Sequence, residues 1–182
     1  MREQRAEGSV ACVQHRAPRG DCVMDLDAGL LEELDAALNV HGDPGGLSQA
    51  LQLLLKRFDC TTGTVHLLDE SGILKLAAQR GIPDVVLDKI KAIPVGKGMA
   101  GIAAERREPV QLCNLQTDSS GVVRPGARET KMEGSLAAPM LNANGVLKGT
   151  LGVAKPISYD FTPEECDLLM KAGRRIADRL KP

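Results

Sequence analysis

A chain of 182 residues suits one domain with a substantial core, and its formal net charge of −1, from 23 Lys+Arg against 24 Asp+Glu, removes the bulk attraction on which nucleic-acid or anionic-membrane binding rests. Aromatic residues make up 2% of the chain, with no Trp, one Tyr and two Phe, which disfavours haem, flavin or a stacked purine as ligand. Five scattered cysteines without a C-x-x-C spacing, three dispersed histidines and no apolar run of membrane-spanning length lead us to expect reduced thiols, no structural metal, no cofactor, no secretory leader and a cytoplasmic location.

Residues 1 to about 24 mix charge, Gly and Pro without a stable period and read as a disordered arm, with a single domain following from residue 25. Leu26, Leu30, Leu34, Ala37 and Leu38 recur at helical spacing, and Leu31 widens the apolar stripe. His41-Gly42-Asp43-Pro44-Gly45-Gly46 is expected to break that helix. A second helix then carries Leu47, Ala50, Leu51, Leu54 and Phe58, with Lys56 and Arg57 at its C-terminal end, where the helix dipole favours cations.

The β-branched run 61–69 turns at Glu70-Ser71-Gly72 into Ile73–Ala78, a β-hairpin. Gly81-Ile82-Pro83 ends it, and Asp84–Lys91 forms a short helix before the strand Ala92–Val95. Gly96-Lys97-Gly98-Met99-Ala100-Gly101 is a G-x-G-x-x-G run between that strand and the helix-like Ile102–Glu105. In a dinucleotide fold such a run cradles a pyrophosphate, but the motif then sits in an early βαβ unit, with an acid at the tip of the next strand about 20 residues on. Here it is mid-chain, and the next strand, Pro109–Cys113, ends at Asn114. The glycines are better read as a sharp strand-to-helix turn with close helix packing.

Asn144-Gly145 marks a hairpin with a type I′ turn, in a register that pairs Asn142 with Leu147, Met140 with Gly149, Ala138 with Leu151 and Leu136 with Val153. Pro139 lacks a ladder donor and should distort its strand locally. Thr162-Pro163-Glu164-Glu165 starts the last helix as a capping box with Pro at its first position, followed by Leu168, Leu169, Ala172, Ile176 and Leu180. Helices thus bracket a mostly antiparallel sheet, an α+β layout.

In order and spacing, Leu53–Phe58, Val65–Asp69, Gly81, Pro94–Gly101, Glu108-Pro109-Val110, Ser135–Met140, Gly145–Val153 and Phe161–Glu165 resemble the GAF domain family, related in architecture to PAS domains. The resemblance runs from about Leu47 to Leu180. It implies a central antiparallel sheet of five or six strands with the N- and C-terminal helices on one face. A helix-plus-loop roof, Met99–Arg107 and Asn114–Glu133, covers the other, and a small ligand would bind between. Three subtypes fit poorly. The N-K…F-x-x-x-D-E signature of cyclic-nucleotide-binding members is here Ala154-Lys155, Phe161 and Glu165-Cys166. Free methionine-(R)-sulfoxide reductases need cysteines gathered around the pocket, yet Cys113 is the only one between Cys60 and Cys166. Bilin-binding members carry a Cys-His pair, which is absent.

The resemblance implies a non-enzymatic sensory domain in signal transduction, transmitting through its terminal helices, a homodimer and an output partner, whether alone or as part of a larger regulator. A redox enzyme using Cys113 and a ligand-free dimerisation module are the alternatives. The ligand-binding candidates are His66, Met99, Cys113, Asn114, Arg124, Arg128, Met132 and Ser135. Cys113 reads either as a thiolate sensor or as a small buried hydrophobe. His66, alternating with Val65 and Leu67, reads either as a ligand contact or as a satisfied core histidine. Arg124 and Arg128 suit a carboxylate or phosphate and equally a solvated loop. Met99 and Met132 suit a pocket wall or core filling. Glu105–Glu108 reads as an exposed helix end.

Overall fold

Alternation of side chains along three central strands decides the architecture. On β1 (Thr62–Leu68), β5 (Ser135–Leu141) and β6 (Leu147–Ala154), period-2 geometry sends Val65, Leu67, Leu136, Ala138, Met140, Leu151 and Val153 to one face. Thr62, Thr64, His66, Ser135, Ala137, Thr150, Gly152 and Ala154 go to the other. The first set needs a thick apolar cover and the second does not. With β2 (Ile73–Arg80), β3 (Ala92–Pro94) and β4 (Val110–Leu112), these strands form one sheet in the order β3-β2-β1-β6-β5-β4, antiparallel throughout. The computed structural model describes residues 22–40, 42–119 and 125–180.

Helices α1 (Cys22–Val40), α2 (Gly42–Phe58) and α6 (Pro163–Arg179) cover the apolar face. Their stripes meet the sheet in one continuous core that includes Leu34, Leu51, Leu54, Phe58, Leu168, Leu169 and Ile176. Each such side chain, taken fully out of water, contributes roughly 1.5–3 kcal/mol before its ordering cost is counted. Asp35 of α1 pairs with Arg175 and Arg179 of α6, tying the two terminal helices together at the surface. The capping box is complete: the Thr162 hydroxyl accepts from the Glu165 amide at 3.2 Å, and the Glu165 carboxylate accepts from the Thr162 amide at 2.8 Å. Loss of a cap of this kind costs about 1 kcal/mol.

The opposite face is roofed by α3 (Asp84–Ile90), α4 (Gly98–Arg106), α5 (Pro125–Arg128) and the irregular stretches around them. Its core is small: Leu74, Ile93 and Ala104, with Leu68, Ile90, Val95, Ala100 and Leu147 packed against them. The glycine run is a turn, as expected. Gly96 and Gly98 take φ of 81° and 63°, and the Gly96 amide donates to the Gly101 carbonyl at 2.8 Å. A Cβ on Gly101 would lie 2.4 Å from the Pro94 carbonyl oxygen, so glycine is required for α4 to pack so near β3.

Three local expectations need correction. The expected arm lies outside the described residues up to 21, but Cys22–Met24 already belong to α1. The first helix ends at Val40 and a second follows, as expected, but Gly42–Gly46 is already the first turn of α2, where proline's missing donor would have had no intrahelical partner anyway. A Cβ on Gly46 would lie 3.2 Å from the Leu38 Cα, so a glycine there lets α2 start close against the end of α1. The second hairpin keeps the expected register at Met140–Gly149, Ala138–Leu151 and Leu136–Val153, but Leu141 rather than Asn142 pairs with Leu147. Gly145 has φ of 73° whereas Asn144 is not at positive φ, and the Asn142 side-chain oxygen accepts from the Asn144 and Val146 amides. The side-chain bonds of Asn142 thus replace a type I′ turn with a longer loop and a bulge. Pro139 itself leaves the register intact: it lies beyond Ala137, the last β5 residue paired with β4, and the shift falls one step later, at Met140/Leu141.

Candidate functional site

Small residues at the centre of the roof-facing side leave space that the opposite side fills. Ala137, Gly152 and Ala154 lie on the floor of a partly open cavity of about 450 Å³ between sheet and roof, a size suited to a small organic ligand. Thr62, Thr64, His66 and Ser135 complete the floor. The roof contributes Val86, Lys89 and Ile90 from α3, Lys97–Ala100 at the start of α4, Gly126 from α5, and Leu115, Thr130 and Met132 from the connecting segments.

His66 joins floor to roof. It is 1% exposed, and its Nε2 lies 2.9 Å from the Ile90 carbonyl, which only accepts, so Nε2 donates and Nδ1 is left as an acceptor. Among the described residues Nδ1 has no hydrogen-bond partner, nor has the hydroxyl of Thr150, its cross-strand neighbour on β6. Burial pushes the His66 pKa below the ordinary 6.5, against the opposing pull of the bond to Ile90, so the ring is neutral at pH 7.

The structure sorts the sequence candidates into two groups. His66, Met99, Met132 and Ser135 stand on the cavity wall. Cys113, Asn114 and Arg128 are not among its lining residues, and Arg124 lies outside the described residues. Asn114 holds the roof loop in shape: its side-chain amide donates to Glu133 at 3.1 Å and Ser158 at 2.8 Å, and its oxygen accepts from the Gln116 amide at 2.8 Å. Arg128 donates to the Asp118 carbonyl at 2.7 Å. Cys113 is half-buried at the end of β4, its carbonyl accepting from the Tyr159 amide. The sequence reading missed Thr62, Thr64, Ala137, Gly152 and Lys97. For the two threonines a signal was there, since they share the parity of His66 on β1.

The described thiols lie elsewhere. Cys60 belongs to the helix-side core and Cys166 packs against it. Burial pushes the Cys60 thiol up to about 12 and raises that of Cys166, which disfavours the thiolate at both. Among the described residues no cysteine lines the cavity, and no group of three or more His, Cys, Asp or Glu could hold a metal ion. Lys155, at the lysine position of the cyclic-nucleotide signature, is buried with its ammonium 4.2 Å from the centre of the Tyr159 ring. No helix among the described residues is long and apolar enough to cross a membrane.

An antiparallel sheet with terminal helices on one face and a roofed cavity on the other is the arrangement the sequence resemblance implies. The family model described as "GAF domain" matches residues 46–180, and the chain belongs to the GAF domain family. The fold is similar to that of the GAF domain from the Acinetobacter phosphoenolpyruvate-protein phosphotransferase (TM-score 0.70, 18% identity, covering 88% of this chain and 93% of that one). It is also similar to fRMsr of Staphylococcus aureus in complex with substrate (TM-score 0.67, 20% identity, 85% and 95%). A third similar structure is the free methionine-R-sulfoxide reductase from Neisseria meningitidis with its substrate (TM-score 0.68, 16% identity, 92% and 94%). At these identities the likeness shows the fold alone. No curated protein matches the sequence.

Proposed function

We propose that this GAF domain is a sensory module that binds a small molecule in the roofed cavity and passes the change to its terminal helices. The observation that carries this reading is the contrast between a filled core on one side of the sheet and a 450 Å³ space on the other. A route for transmission accompanies it. The Glu133 amide donates to the Lys155 carbonyl at 2.9 Å, the Gly134 amide to Ile157 at 2.8 Å, and the Tyr159 amide to Cys113 at 3.1 Å. The Tyr159 hydroxyl in turn contacts Glu165 in the first turn of α6. Ordering of the 114–133 segment by a ligand would bear on the start of α6 through this network, biasing how α6 packs against α1 and, in a homodimer, against a second copy. The sulfoxide reductases among the similar structures raise an enzymatic alternative, but the described cysteines stand off the cavity wall, and burial disfavours the thiolate at Cys60 and Cys166, which favours the sensory reading.

Native mass spectrometry of the purified protein tests this directly. The expected result is a small molecule retained by the wild-type chain and absent from Ala137→Leu, which fills the cavity floor. Equal retention by both, or loss of free methionine-(R)-sulfoxide on incubation with the protein and a thiol reductant, would overturn it.

A further inference from the structure

Charge stands at the rim of the cavity, and neutral hydrogen-bonding groups stand on its floor. Among the described lining residues only Lys89 and Lys97 carry a fixed charge, and both are exposed. The Lys89 ammonium is already paired with Glu129. His66 is neutral at pH 7, with its Nε2 held by the Ile90 carbonyl. Val86, Ile90, Ile93, Met99 and Leu115 make the wall above the floor apolar. An ionic group carried into this space would lose its water without gaining a counter-charge from the described interior.

The floor is different. Its central rows run Thr62, Ala154, Ser135 and Thr64, Gly152, Ala137 across strands β1, β6 and β5, so hydroxyls flank positions that carry a methyl group or nothing. The Thr64 Oγ1 lies 3.2 Å from where a Cβ on Gly152 would stand, which sets this hydroxyl beside the bare centre of the floor. Thr62 is 4% exposed, and its Cγ2 lies 3.1 Å from where a Cβ on Gly81 would stand, so its hydroxyl is turned away from Gly81. Both threonines line the cavity, and neither hydroxyl is bonded to another described residue. Nor is either sealed within the protein, as the His66 Nδ1 and the Thr150 hydroxyl are. The Ser135 hydroxyl reaches one acceptor, the Val153 carbonyl, at 3.5 Å. Polar groups removed from bulk water are normally hydrogen-bonded, so open hydroxyls beneath an apolar roof point to an occupant that bonds to them.

From this arrangement we infer that the ligand is an uncharged aliphatic molecule with a carbonyl, amide or hydroxyl group at one end, that group bonded to the Thr62 and Thr64 hydroxyls and its chain lying between Ala137 and the apolar roof. A carboxylate or an ammonium is disfavoured by the uncompensated desolvation of its charge. An aromatic ring is disfavoured because no aromatic side chain among the described lining residues stacks on it. The inference rests on the reading of the cavity as a ligand site and specifies the chemistry of that site.

Calorimetric titration of the full chain with octanamide, octanoate and octylammonium tests it. These probes share a chain that the cavity accommodates and differ in the charge of the head group. Octanamide should bind at least about tenfold more tightly than either ion. The double variant Thr62→Val, Thr64→Val keeps side-chain shape and strand preference while removing both hydroxyls, and should weaken octanamide about tenfold. Thr150→Val, which removes a sealed hydroxyl from the same face of the sheet, should leave octanamide unaltered. The inference is overturned if either ion matches octanamide, if the double variant binds octanamide as wild type does, if Thr150→Val weakens it equally, or if octanamide does not bind. Binding of an ion that Ala137→Leu abolishes would preserve the cavity as a ligand site while removing the uncharged head group. Failure of all three probes, together with an empty wild-type chain in the mass spectrum, would remove both.

Discussion

Ala137 and Ala138 are neighbours on β5 and live in different environments. Ala138 faces Leu, Met and Phe side chains held between sheet and helices, while Ala137 faces the roofed cavity. One sheet thus has a face that stores stability and a face that keeps space, and the difference comes from which residues alternate along the same three strands. Close packing on the helix side makes each methylene count, whereas a partly empty side tolerates added volume.

The comparison is broken most forcefully on the helix side. Leu151→Ala, at a side chain with no exposure in the middle of β6, should cost about 2–5 kcal/mol in chemical denaturation, the range for a buried leucine whose cavity does not collapse. Adding volume separates the faces more sharply. Ala138→Leu should lose about 1–3 kcal/mol, while Ala137→Leu should cost at least about 1 kcal/mol less and abolish ligand uptake. Equal losses from the two would mean that the roofed space is filled in solution.

At the edge of the roof, Gly101→Ala should destabilise by about 1–2 kcal/mol, because the new Cβ meets a backbone carbonyl that cannot turn aside. A variant of full stability would sink the account of the glycine run as a close-packing turn. The smallest effect concerns His66. Its folded-state pKa lies below 6.5, so as pH falls below 6.5 the unfolded chain takes up a proton the folded chain resists, and stability drops. Wild type should therefore lose more stability than His66→Asn between pH 7 and pH 5.5, read from urea midpoints at each pH. Parallel pH profiles would show that His66 is not held neutral by its burial.

Much of this was legible in the residues because it is local. The Thr162–Glu165 box, the stripes of α2 and α6 and the β5–β6 register depend on neighbours within a few positions or across one turn, where spacing and geometry are tightly coupled. Even there, nearby groups overrode simple propensity: Asn142 reshaped the hairpin loop with its own side chain, and Gly46 let α2 begin where a break was expected. The site was legible only in part. His66 and Ser135 follow from strand parity, but Leu115, Thr130 and Met132 come from irregular roof segments with no period to read. Asn114 and Arg128 had the chemistry of ligand contacts and are used to fasten the roof loop instead.

By itself the amino-acid sequence determined where helices and strands form, which side of each strand is apolar, and the order of elements that marks a GAF domain. It also determined that no acid sits at the described positions which line the cavity. Tertiary structure alone decided that the polar side of the sheet stays partly unfilled and that Lys97 and the start of α4 border that space. Periodicity states which face of a strand turns to the helices. How far a roof stands from the other face depends on contacts between residues distant in the chain, and those are settled only when the whole fold closes.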